Sequence, residues 1–322
     1  MKMMINDNTC NPSNARGAPG RAGAILAWLA LVLSVPSNCL KAQAFAISNN
    51  AVLLSWPEPA TEQIVIGASS LNSNAVWSPW PEPIFKRFGE LCMAVSINTN
   101  QNAQFFKLVP GTQFIDEFSD AKQPFATRNQ WVPWFYDSSD TSRFSFTVTN
   151  GVFRIQTLSP PVAGGVAIFP PGTNAILRDF HASVDILDWG TNNTASSGFG
   201  IGGRVQGGPA YVQNFYLGTV RLAPTGIRGT AALMFFNGDS DVQATSVFNL
   251  ASNAVCRLEF SAVGNQLKVR LLNLSDPTAP VRQGTLQASM FTQGPVCLWV
   301  NTRDSSSYAR TVDNFFVTGT KP

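Results

Sequence analysis

Histidine is almost missing from this chain. Its 322 residues include one, His181. A His-ligated metal centre or a Ser–His–Asp triad would have to be built on that side chain alone. Charge is scarce as well. Lys, Arg, Asp and Glu make up 13% of the residues, about half the share of an average globular chain. No basic run occurs, which argues against a nucleic-acid partner. There is no C-x-x-C pair, so neither a zinc ribbon nor a thioredoxin-type redox motif has support. G-x-S-x-G is absent too. The pairs Gly164-Gly165, Gly202-Gly203 and Gly207-Gly208 have no helical pattern after them, so they read as turns and bulges rather than phosphate loops. What the chain has in plenty is Phe (23), Trp (8), Gly (25) and Pro (21). Abundant aromatic and β-branched residues exclude a disordered chain.

The first 44 residues read as an export signal. Lys2, Arg16 and Arg21 give a positive start. Ala22 to Val35 is an apolar stretch of 14 residues. A membrane-spanning helix needs about 20. Pro36-Ser37 ends the stretch, and Ala42-Gln43-Ala44 fits a small-x-small cleavage site. Cleavage would remove four basic residues and one acid, leaving 18 of each sign. A neutral secreted chain has no overall steering toward anionic polymers or membranes, and no membrane span would remain. Cys92, Cys256 and Cys297 would stay. An exported Cys256–Cys297 disulfide is one reading; two buried thiols is the other.

Beyond residue 44 no helical period is sustained. Short alternating runs are separated by Gly, Pro, Asn and Ser clusters, which predicts an all-β chain of two β-sandwich units. The first covers 45–111, with strands at Ala51 to Trp56, Gln63 to Ser69, within Ile84 to Ile97, and at Gln104 to Val109. The second covers 112–322. There Asn150-Gly151 joins two alternating runs, and Gly264-Asn265 joins two more, both strong hairpin signals. In the second hairpin Leu258, Phe260, Leu267, Val269 and Leu271 share one face. Arg257, Glu259, Lys268 and Arg270 share the other, where opposite charges across the pair stabilise it by a few tenths of a kcal/mol. About a dozen strands in this stretch predict a double-sheet jelly roll.

Two resemblances carry these expectations further. Leu54-Ser55-Trp56-Pro57, Leu71-Asn72 with Trp77, and Phe105-Phe106-Lys107-Leu108 resemble a compact fibronectin type III-like module of secreted bacterial proteins. It implies a spacer or interaction role. The second unit resembles the concanavalin A-like lectin/glucanase superfamily in its laminin G-like branch. The residues that carry this are Asp116-Glu117-Phe118, Thr149 to Ile155, Asp179-Phe180 with Val184-Asp185, Phe199-Gly200-Ile201 with Arg204, Arg257-Leu258 with Gly264 to Leu267, and Val312-Asp313-Asn314-Phe315. The resemblance implies glycan binding, glycan cleavage or adhesion, without choosing among them. It also makes Asp116, Glu117 and Asp313 candidates for a structural calcium shared by the first and last strands. Hard cations take several carboxylate and carbonyl oxygens.

Glycan cleavage needs two convergent carboxylates. The glucanase members use an E-x-D-x-x-E run, and this chain has none. Asp185 and Asp188 come nearest, but a spacing of three puts them on opposite faces of a straight strand. Solvated strand-edge acids are the plainer reading of that pair, and a structural residue the plainer reading of His181. Glycan binding without cleavage uses aromatic faces with a few amides and charges. Trp131, Trp134 and Tyr136 crowd a Pro-interrupted segment, and Arg204, Tyr211, Asn214 and Tyr216 lie on candidate strands. Core packing is the competing reading for each ring. The sequence therefore predicts a secreted, non-catalytic glycan-binding or adhesion protein, with a polysaccharide or glycoconjugate, or a cell-surface protein, as partner. A glycoside-active enzyme or a structural protein of the cell exterior is the alternative.

Overall fold

The computed structural model describes residues 29–31, 43–48, 51–57, 63–87, 90–96, 104–116, 118, 131–135, 144–157, 164–170, 175–189, 198–208, 211–222, 230–237, 243–249, 251, 253–288, 290–302 and 309–322. Among them every regular element is a strand. The all-β expectation holds. No helix there is long and apolar enough to cross a membrane. The chain divides into two units, Met1–Pro110 and Gly111–Pro322.

The first unit contains β1 (Leu29–Leu31), β2 (Gln43–Ser48), β3 (Ala51–Pro57), β4 (Gln63–Ala68), β5 (Ser78–Pro79), β6 (Ile84–Arg87), β7 (Glu90–Ser96) and the first half of β8 (Gln104–Asp116). One sheet has the order β2-β3-β7-β6. In the other, β8 lies between β1 and β4, and β5 pairs with β4. β1 falls within the apolar stretch of the expected leader and pairs in parallel with β8. Val52, Leu54 and Trp56, alternate residues of β3, face Val65, Met93, Val95, Phe106 and Leu108 in a single core. Their period of two is what buries one face of a strand. Gly67 lets the Trp80 ring lie against β4. A Cβ there would stand 2.5 Å from the indole. Trp80 then meets Phe106 edge-on at 4.7 Å.

The second unit continues with β9 (Val132–Phe135), β10 (Phe144–Thr149), β11 (Val152–Thr157), β12 (Gly164–Phe169), β13 (Phe180–Asp188), β14 (Gly198–Gly208), β15 (Tyr211–Leu222), β16 (Thr230–Asn237), β17 (Gln243–Asn249), β18 (Cys256–Val263), β19 (Gln266–Asn273), β20 (Arg282–Gln287), β21 (Cys297–Thr302) and β22 (Ala309–Thr320). One sheet runs β20-β19-β18-β13-β22. On the far edge of β22, β11 takes residues 309–312 and the second half of β8 takes residues 315–320, with β10 outside β11. The other sheet runs β17-β16-β15-β14-β21-β12-β9. They stack face to face, with β14 over β18, β15 over β19 and β16 over β20. The main core, which includes Phe153, Phe180, Val184, Phe199, Ile201, Leu258, Phe260, Leu298 and Phe315, fills the space between.

Both predicted hairpins form. Asn150 and Gly151 have φ of 53° and 78°, and Gly264 has 54°. A left-handed turn of this kind matches the strand twist. In the second hairpin Glu259 pairs in register with Arg270 and their charged groups meet at 2.7 Å. Gly164-Gly165 opens β12 instead of forming a turn, while Gly202-Gly203 and Gly207-Gly208 lie in β14, whose register shifts at 203/206 and 206/207 are the bulges that reading allowed. Of the two cysteine readings the buried thiols hold: Cys256 and Cys297 are free, on strands of different sheets, and no disulfide joins them. Burial raises the Cys256 thiol to about 11 and pushes Cys297 up further, which leaves both unreactive at neutral pH.

Candidate functional site

The seven-stranded sheet has a second buried face. Strand β14 carries Gly198, Gly200 and Gly202 at alternate positions, while Phe199 and Ile201 between them point into the main core. The outer side of the central strand is thus bare backbone. Across it, Phe215 from β15 reaches Trp299 on β21, with ring centroids 4.6 Å apart. A Cβ on Gly202 would stand 2.7 Å from the Cys297 sulfur and 3.8 Å from the Phe215 ring. Ala167, Phe169, Val205, Phe215, Leu217, Cys297 and Trp299 form this outer cluster.

The same sheet also curls. Three strands separate β15 from β9 in the sheet order, yet residues of the two approach within 8 Å, Cα to Cα. Trp134 on β9 takes the register position opposite Ala167, and Ala167 is opposite Trp299. Tyr211 and Asn214 lie on β15, and Asn214 is half-buried. The curl therefore brings together the two strands that carry Trp134, Tyr211 and Asn214. Tyr136 and Glu117 lie outside the described residues.

Three other candidates sit in the core, for physical reasons. Trp131 is 5% exposed. Its ring packs on Phe114, Phe118, Phe153 and Phe315, and its Nε1–H donates to Asp116 Oδ2 at 2.8 Å. It offers no face to a sugar. Tyr216 is 1% exposed, and its hydroxyl accepts the Met290 and Phe291 amides at 2.9 and 3.3 Å. Arg204 is 1% exposed. Its guanidinium donates to the carbonyls of Arg178, Gly264 and Phe291 at 2.6–3.2 Å, and Asp179 lies 3.8 Å away. Asp179 in turn accepts the Gly264 amide at 2.8 Å. Arg204 thus ties β14 of one sheet to the β18–β19 turn of the other. Burial lowers its pKa, and Asp179 works against that shift.

The acids have similar fates. Asp185 is 4% exposed. It accepts two bonds from Arg257, at 2.6 and 2.9 Å, and one from Asn314 Nδ2 at 3.0 Å. The Asp185 bond raises the Arg257 pKa. β13 does carry register shifts at 183/185 and 186/188, but Asp188 is exposed while Asp185 is sealed under Arg257. Burial raises the Glu259 pKa, against the pull of Arg270 and Arg257. His181 lies near the Phe316 ring. Burial, then the charges of Arg270 and Arg257, lowers its pKa to about 4, so it is neutral at pH 7.

The expected first and last strands are indeed neighbours, with Asp116 opposite Phe315. Asp116 spends one oxygen on the Phe118 amide at 2.7 Å and the other on Trp131. Asp313 accepts the Asn314 amide at 2.7 Å. Among the described residues no three His, Cys, Asp or Glu side chains gather as a cation site would need. The described part of the proposed set therefore makes no calcium cage, which takes about six to eight oxygens.

No protein-family model matches the chain, and no curated protein matches it in sequence. Solved structures do. The VIP36 exoplasmic/lumenal domain in its Ca2+/Man2-bound form is 12% identical, with 64% of this chain and 86% of that one aligned and a TM-score of 0.42. The CBM2 module of the evolved Dit of Lactobacillus casei BL23 phage J-1 is 10% identical, covering 66% and 99%, with a TM-score of 0.40. The alginate lyase from Klebsiella pneumoniae is 11% identical, covering 58% and 93%, with a TM-score of 0.38. The β-sandwich assignment rests on this chain's own sheets.

Proposed function

We propose that the chain is an exported, non-catalytic protein that binds glycan chains. In this reading a concanavalin A-like sandwich follows a fibronectin type III-like unit. The observation that carries the proposal is the approach of β9 to β15. It brings near one another the two strands that carry Trp134, Tyr211 and Asn214, residue types suited to stacking on a sugar ring and bonding its hydroxyls. The non-catalytic half of the reading is supported by the use made of the titratable groups. Asp185, Glu259 and Asp179 are each bonded to protein donors, and His181 is held neutral by burial and two arginines. A retaining or inverting glycosidase instead directs two free carboxyls at one bond. The test is retention of the full chain on immobilised polysaccharides, comparing wild type with Trp134→Ala. Loss of retention in the variant supports the reading; equal retention removes β9 from it.

A further inference from the structure

The expected leader and the first unit share strands. Leu29–Leu31, inside the apolar stretch, forms β1 and pairs in parallel with Gln104, Phe105 and Phe106 of β8. Gln43 and Ala44, the last two residues of the small-x-small site, open β2. There Gln43 is paired with Ser55, Ala44 with Leu54 and Phe45 with Leu53. The two contacts lie in different sheets. β1 joins the sheet of β8 and β4, and β2 joins that of β3, β7 and β6. The bond that leader removal has to cut, Ala44–Phe45, therefore lies between two paired residues of a strand. The strand behind it is well anchored. β3 is paired with β7 along its whole length, Ala51 to Pro57, and buries Val52, Leu54 and Trp56 in the core of the unit.

Leader removal is a hydrolysis. Water adds across the amide, the C–N bond breaks, and Ala44 leaves as a carboxylate and Phe45 as an ammonium. An endoprotease can do this only to a backbone that it can surround. A segment bonded to a neighbouring strand has to leave that strand first, and the cutting rate then follows the population of the opened form. We infer that the folded first unit holds the leader as structure and closes the Ala44–Phe45 bond, so that processing has to precede folding. A chain that folds first keeps its leader, as β1 and the start of β2. A chain cut first folds with β2 starting at Phe45 and without β1. The inference rests on the exported half of the reading above, whose leader it uses. It is independent of the glycan site.

The test uses a leader peptidase that cuts after small-x-small sequences, with the products read by mass. The substrates are the folded full chain, the full chain with Ile47→Pro/Ser48→Pro, and peptides of residues 22–52 with and without the two prolines, all in the same mild detergent. Of two successive residues in an antiparallel strand, one points its N–H at the partner. The double variant therefore removes at least one donor from β2, and because β2 is an edge strand the damage stays at the edge. Both peptides are expected to be cut after Ala44. The folded wild type is expected to be cut about a hundredfold more slowly than its peptide, and the double variant about tenfold faster than the folded wild type. Hydrogen exchange on the uncut wild type gives a second readout that needs no variant: the amides of 43–45 and 104–106 are expected to be protected. A folded wild type cut as fast as its peptide, or free exchange at both places, overturns the inference and leaves the export reading standing. A double variant that stays folded and is cut no faster than wild type also overturns it. Peptides that are not cut at all sink the export reading, and this inference with it.

Discussion

The indole of Trp131 donates a 2.8 Å hydrogen bond to the carboxylate of Asp116. This one bond holds a candidate sugar platform in the core and engages one oxygen of a candidate calcium ligand. The ring is buried among four phenylalanines, and the acid answers the ring's only polar atom. Trp131→Ala should cost about 3–5 kcal/mol, as for other large buried aromatics. Asp116→Ala should cost about 1–3 kcal/mol by orphaning the indole donor. Urea unfolding of both single variants and the double variant should show the losses overlapping rather than adding. EGTA should leave the melting temperature of the wild type where it was. A calcium-dependent rise erased by Asp313→Ala would restore the metal.

Asp185 and Arg257 form a bidentate pair in which the acid is buried and the arginine is 39% exposed. Exposure on the arginine side screens the pair, so the loss in Asp185→Ala is put below the figure for a fully buried pair, at about 2–3 kcal/mol. The glycan-binding reading expects Asp185→Asn/Asp188→Asn to retain polysaccharide as the wild type does. A reducing-sugar signal from the wild type that this variant abolishes would revive the enzyme.

His181 gives a pH dependence with a defined sign. Its folded pKa, about 4, lies below its ordinary value of 6.5. The unfolded chain therefore takes up the proton first as pH falls. The His181 contribution to stability is complete above about pH 6.5 and is lost progressively down to about pH 4, by up to about 3 kcal/mol. Arg270 and Arg257, from β19 and β18, are the charges that oppose its protonation. His181→Gln should flatten the fall in urea midpoint between about pH 6.5 and 4 relative to wild type. Parallel pH profiles of the two proteins would contradict this.

Arg204 bonds three carbonyls that come from separate segments of the chain. Arg204→Met removes the four hydrogen bonds that join those segments, so it should destabilise the fold by about 3 kcal/mol or more. Where the variant remains folded, its polysaccharide retention should match the wild type. Selective loss of retention at unchanged stability would make Arg204 a ligand group after all.

Much of the fold was legible because local rules govern it. The Asn150-Gly151 and Gly264-Asn265 turns, and the strict alternation of β18 and β19, carry their own signals. Strand β12 was not legible. Its Gly-Gly start looks like a turn, and Val166 to Phe169 are all buried, so no alternation marks it. Strand β20, Arg282–Gln287, is too polar to stand out. The site was harder to read. Arg204 and Tyr216 look like ligand groups in sequence because their backbone partners are 26 to 87 residues away. Trp131 looks like a loop aromatic because its acid partner is fifteen residues earlier.

The central claim is binding without cleavage. The most direct measurement is a pull-down of the full chain on a polysaccharide panel, with reducing ends assayed in the same tubes. The account predicts retention on at least one polysaccharide with no reducing ends released. Released reducing ends that scale with protein concentration, or no retention on any polysaccharide, would contradict it.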